Sequence, residues 1–93
     1  MAACYQQNPR VEVAPMKNDA VLFNPDNNKF CVLNRTAAFL WIRLAKARTV
    51  EELAGELCAN FDGVSLSTAV RDVEQVVEQF LQVECIKGPE QTN

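Results

Sequence analysis

The chain has 93 residues, 48% of them apolar and 23% charged, with a net charge of −3 and no histidine. That leaves room for one small domain with a modest core, and none for separate catalytic and binding domains. Without histidine the commonest general base and the commonest metal ligand are both missing, so no catalytic residue, metal site or cofactor is expected.

Four cysteines, Cys4, Cys31, Cys58 and Cys85, are evenly spaced, but the segments that follow them share no pattern of apolar or turn residues, and no C-x-x-C pair occurs. A zinc knuckle, a thioredoxin-like dithiol and an internal repeat are therefore not indicated. Cys31 and Cys58 fall in apolar patterns and read as core or near-core thiols. Met1 to Pro9 has neither the basic start nor the apolar stretch of a signal peptide, and no run is long and apolar enough to span a bilayer. A cytoplasmic protein with reduced thiols is expected, acting without membrane contact.

Residues 1–9 read as a flexible N-terminal tail, 10–87 as the domain and 88–93 as a C-terminal tail. Arg10-Val11-Glu12-Val13-Ala14 alternates polar and apolar residues between Pro9 and Pro15, as a half-buried strand does. Asp19 to Asn24 is a second, apolar strand. Asn24-Pro25-Asp26-Asn27-Asn28 supplies a turn, and Lys29-Phe30-Cys31-Val32-Leu33 returns as the third.

From Asn34 the period changes to about 3.6 and three helices are expected. Asn34 is placed to cap the first, which carries Ala37, Leu40, Trp41 and Leu44 on one face. Thr49-Val50-Glu51-Glu52 has the form of a capping box at the start of the second. Its stripe of Val50, Leu53, Ala54, Leu57, Cys58 and Phe61 ends at Asp62-Gly63. The third starts near Ser65 or Ser67 and runs to about Glu84, with Leu66, Val70, Val73, Val77, Phe80 and Leu81 inward. Adding Ala69, Val76 and Val83 widens its apolar arc to roughly 160°, beyond the ~100° stripe that one core requires. The surplus either covers more core or forms a wall of a binding groove. The fold class is α+β and winged-helix-like, a three-stranded antiparallel β-sheet followed by three α-helices.

Winged helices commonly bind DNA, but the helix that would enter the groove sets Arg71 against Asp72, Glu74, Glu78 and Glu84. Affinity for phosphates needs the opposite balance, so no nucleic-acid partner is expected. The sheet edge offers more. The first strand is blunted by Arg10, Glu12 and two prolines, whereas the third carries only Lys29 before four apolar residues. An edge so bare is covered, by the N-terminal tail or a neighbour, or is available for pairing, with a peptide strand or with a second copy. A monomer or an edge-mediated dimer is expected, and an assembly subunit that dimerises through this edge is the alternative function.

Asn34-Arg35-Thr36-Ala37-Ala38-Phe39-Leu40-Trp41, then Thr49-Val50-Glu51-Glu52-Leu53-Ala54 with Leu57, then Val70 and Asp72-Val73 before an apolar helix, resemble in order and spacing the PqqD-like family of precursor-peptide recognition elements. The resemblance covers roughly Val11 to Ile86. It implies a small non-catalytic winged helix that binds the leader region of a ribosomally made peptide as an added antiparallel strand, between the third strand and the third helix. The groove it implies is lined by Lys29, Phe30, Cys31, Val32, Leu33, Ala69, Val70, Asp72, Val73, Val76 and Val77. The implied partners are the leader peptide and a maturation enzyme, a radical SAM enzyme or a leader peptidase. Where the family usually has a glycine near the end of the last helix, this chain has Glu84. Asn34 and Trp41 belong to the matching residues, yet a helix cap and a core indole explain both. Arg35, Arg43, Lys46 and Arg48 form a basic cluster in a net acidic chain, a candidate contact for an acidic leader or the partner enzyme.

Overall fold

A computed structural model of the chain describes residues 3–15 and 20–88. Its helices begin where side chains can satisfy the first free backbone donors. Asn34 Oδ1 accepts from the Ala37 amide at 2.8 Å and opens α1, Arg35–Arg43. Thr49 Oγ1 accepts from the Glu52 amide at 3.1 Å while Glu52 Oε1 accepts from the Thr49 amide at 2.8 Å, the reciprocal box that starts α2, Val50–Asn60. Ser65 caps α3, Leu66–Gln82.

Six strands complete the α+β fold: β1 Cys4–Gln7, β2 Glu12–Pro15, β3 Ala20–Asn24, β4 Lys29–Leu33, β5 Arg48–Thr49 and β6 Ile86–Lys87. The expected antiparallel meander is present in the order β2-β3-β4, with Leu22 opposite Val13 and Cys31, and Phe23 opposite Glu12 and Phe30. Because alternate residues share a face, Leu22 and Leu33 point inward and are buried, while Val21, Phe23, Phe30 and Val32 share the outward face. The first strand starts later than its alternating pattern suggests. The Val11 amide closes a turn onto the Asn8 carbonyl, and Arg10 pairs with Asp26 at 2.7 Å instead of joining the ladder. Asp19 and residues 89–93 of the expected C-terminal tail lie outside the described residues.

The segment expected as a tail contains a strand instead. β1 lies between β5 and β6 in a second small sheet, pairing Tyr5 with Arg48 and Gln6 with Lys87. The Gln7 amide donates to the Leu44 carbonyl, the Asn8 amide to the Cys85 carbonyl, and Gln7 Nε2 to the Trp41 carbonyl. Gly88 lies against Tyr5, where an added Cβ would come within 3.1 Å of the ring.

Both sheets and all three helices contribute to one core, in which Leu22, Leu33, Leu40, Leu44, Leu53, Leu57, Val73, Phe80 and Ile86 are all but fully buried. Trp41 packs edge-on against Phe80, with ring centroids 5.8 Å apart. The last helix ends two residues earlier than its apolar pattern suggests. The Glu84 amide donates to the Leu81 carbonyl and the Cys85 amide to the Phe80 carbonyl, with Glu84 in the left-handed region at φ 57°. This is the Schellman arrangement, with a glutamate at the position that glycine usually takes.

Candidate strand-binding groove

Among the described residues β4 is an edge strand, bonded to β3 on one side. Backbone N–H and C=O groups of alternate residues therefore face outward from the sheet without a ladder partner. Phe30 and Val32 on it are 65% and 67% exposed, and Lys29 is also exposed. Cys31 is half-buried against the core and Leu33 is buried.

Across from this edge stands α3. Ala69, Val73, Val77 and Phe80, spaced by three or four residues, are buried in the core. The adjoining face presents Asp72, Gln75, Val76 and Gln79 to a cleft of about 270 Å³, closed on the other side by Val32, Asn34, Thr36 and Ala37. Backbone acceptors and donors on one wall and amides and a carboxylate on the other make the cleft polar along its length, with Val32, Val76 and Ala37 as its apolar points. Asp72 is the only charged residue lining it among those described.

Three of the expected groove residues, Val32, Asp72 and Val76, are thus brought together. Ala69, Val73 and Val77 are not: they face the core, because the interior claims the most apolar arc of a helix first. Val70 is half-buried against the core and outside the cleft lining. Lys29, Phe30, Cys31 and Leu33 lie on the edge strand and not in the cleft. Gln75 and Gln79 are legible as the helical neighbours of Asp72 at i+3 and i+7, and Asn34, Thr36 and Ala37 as the cap and opening of the helix that follows the edge strand.

The basic cluster is largely committed within the fold. Glu56 takes Arg43 at 3.0 Å through Oε1 and Arg48 at 3.5 Å through Oε2, the second contact a Coulombic one without a hydrogen bond. The Arg43 guanidinium also lies 4.3 Å over the Phe39 ring, and that of Arg35 5.5 Å from the Phe61 centroid. Lys46 is exposed and has no ion pair with any described residue. Burial pushes the Cys31 thiol up, and burial followed by the nearby Cys31 pushes Cys85 up to about 11. Neither is activated as a nucleophile.

The geometry is that of an α+β domain with a strand edge unpaired among the described residues, set across a cleft from a helix. The family model described as coenzyme PQQ synthesis protein D, PqqD, matches residues 19–86, and the chain belongs to that family. Among solved structures it is similar to one described as TbiB1 in complex with the TbiA(beta) leader peptide, with 20% identity, a TM-score of 0.76, and coverage of 88% of this chain and 94% of that one. It is also similar to a lasso peptide synthetase B1 complexed with the leader peptide, with 23% identity, a TM-score of 0.75, and coverage of 89% and 96%. No curated protein matches the chain significantly. No helix among the described residues is long and apolar enough to cross a membrane.

Proposed function

We propose that the chain captures the leader segment of a ribosomally made precursor peptide as an antiparallel strand on β4 and delivers that peptide to a separate modifying enzyme, catalysing no step itself. The observation that carries this reading is the free edge of β4 facing α3 across an open cleft. Membership of the PqqD family and the likeness to two structures that hold leader peptides support it. Main-chain hydrogen bonds to β4 supply affinity with little demand on sequence, and the α3 wall supplies selectivity. Holding the leader raises the effective concentration of the attached core peptide at the enzyme, so the chain accelerates a reaction it does not perform. The partner in this reading is a radical SAM enzyme or a leader peptidase, and the compartment is the cytoplasm. It requires no cofactor, nucleic acid or membrane.

The test is an anisotropy titration of the purified chain with synthetic leader and core segments of any short precursor peptide encoded beside it, repeated with Val32→Pro and Val76→Asp. Val76 is the appropriate helix position, because Val73 is wholly buried and a charge there would unfold the domain. Saturable binding of the leader alone, lost in both folded variants, is the expected result. A leader that fails to bind the folded chain, both alone and with its enzyme, overturns the reading. The exposure of Phe30 and Val32 on an open edge also favours pairing between two copies. A sedimentation mass that rises with concentration and reverts in Val32→Pro would identify that second use.

A further inference from the structure

The two sides of the groove differ in chemistry, and a strand laid between them must differ in the same way. On an antiparallel ladder, side chains directly opposite one another share a face. The outward face of the meander carries Val21 and Phe23 on β3 opposite Val32 and Phe30 on β4. The two phenylalanine rings lie 5.0 Å apart at their centroids, and the apolar surface continues to the rim, where Phe30 and Val32 are left two-thirds exposed. The inward side of an added strand meets α3 instead, where Asp72 is the only charged residue of the cleft among those described. Asp72 is half-buried, and its carboxylate has no hydrogen bond or ion pair with a described residue. Arg71, its neighbour in sequence, is exposed and does not line the cleft, Arg35 lies over Phe61, and Lys29 stands at the opposite end of β4 from Leu33.

Resting on the strand-capture reading above, we propose that the captured leader is a two-faced strand. Alternate apolar side chains extend the Phe30–Val32 surface, and a lysine or arginine between them is drawn to Asp72. The apolar positions gain by covering exposed rings and methyls. The cation gains a charge-assisted hydrogen bond in a cleft that excludes part of the solvent. Asp72 and Val76 are one helical turn apart, about 6 Å, close to the ~6.8 Å between alternate residues of a strand. Where the strand follows the helix, the inward residue two positions from the cation therefore meets Val76 and is small and apolar. The groove specifies a leader segment of the form apolar–basic–apolar–small, repeated for no more than the five residues of β4.

The experiment is a display selection of random 12-residue peptides on the full chain, run in parallel on Asp72→Asn, Phe30→Ser and Val32→Pro, each first shown to be folded by circular dichroism. Wild type is expected to enrich lysine or arginine at one position with apolar neighbours on both sides. Asp72→Asn should keep the apolar enrichment and lose the basic one, and Phe30→Ser should do the reverse. For one enriched peptide, replacing the basic residue by norleucine should weaken binding about 5- to 10-fold on wild type, the size of one charge-assisted hydrogen bond, and leave Asp72→Asn unchanged. Peptides that depend on an intact β4, being lost with Val32→Pro, yet show no positional basic preference or an equal one on Asp72→Asn, overturn the inference and leave strand capture standing. A wild-type selection no richer than that of Val32→Pro overturns both.

Discussion

The Asn24 side-chain amide donates to the main-chain oxygens of Val83 and Glu84, at 3.0 and 3.1 Å, across the gap between the β3–β4 turn and the end of α3. Asn24 is 1% exposed, and its own Oδ1 accepts from the Asp26 amide. Asn27 and Asn8 donate to the same pair of carbonyls. The hairpin that carries the open edge is thereby tied to the helix that forms the opposite wall.

Replacing Asn24 by alanine removes this tie and leaves the Val83 and Glu84 carbonyls to Asn27 and Asn8. A loss of about 1–2 kcal/mol in urea denaturation is expected, from the two hydrogen bonds removed. Leader binding should weaken further than the small unfolded fraction explains, because the cleft's two walls lose their shared anchor. Affinity unchanged in the folded fraction would mean that the core alone holds the walls apart.

Glu84 is held at φ 57° in the Schellman turn. An L-residue there carries a backbone cost of about 1–2 kcal/mol that glycine escapes. The exposed bond from Asn27 to the Glu84 carboxylate returns only part of it. Glu84→Gly is expected to stabilise the chain by about 0.5–1 kcal/mol after the loss of that bond and glycine's extra unfolded entropy, read as a rise in Tm. Destabilisation would show that the carboxylate contributes more than the backbone costs.

Burial lifts Cys85 from 9.0 to about 11. The folded state therefore keeps its proton to higher pH than the unfolded chain does. The stability this contributes is whole below pH 9 and is lost as pH rises from about 9 towards 11. Denaturation midpoints measured from pH 8 to 10.5 should fall, and fall less steeply in Cys85→Ala, which is also less stable at neutral pH. In the native protein a thiol reagent should label exposed Cys4 first and Cys85 only on unfolding.

Asn34 both caps α1 and lines the cleft. Asn34→Ala should cost about 1 kcal/mol as a lost cap, while Asn34→Asp keeps the cap and the stability. The aspartate adds a second negative charge beside Asp72. Binding of basic-centred strands should tighten, and the gain should fade as salt rises. Equal affinity for Asn34→Asp at low salt would argue against a cation in the groove.

Much of this fold is legible in local chemistry. Asn34 and the Thr49–Glu52 box mark helix starts because capping is decided within four residues, and the run from Asn24 to Asn28 marks the hairpin because turns are equally local. β1 is not legible. Cys4-Tyr5-Gln6-Gln7 lacks alternation, and its partners lie some forty and eighty residues away, so only the folded chain selects it as a strand. The expected groove residues of α3 divide between cleft and core: Asp72 and Val76 line the cleft, while Ala69, Val73 and Val77 are buried in the core. What borders the cleft is the mostly polar strip one step round the helix, where Gln75 and Gln79 look like ordinary solvent-facing residues.

The position of β1 between β5 and β6 has a consequence for the order in which the molecule is completed. Its partners are Arg48–Thr49 and Ile86–Lys87, so the small sheet is a latch that cannot fasten until residues 86–87 have been made. The cleft, by contrast, is built from residues 32–79, all made before the latch can close. Such long-range closure is slow relative to hairpin and helix formation. The hairpin and helices that border the cleft can therefore form first, and β1 is drawn between β5 and β6 last.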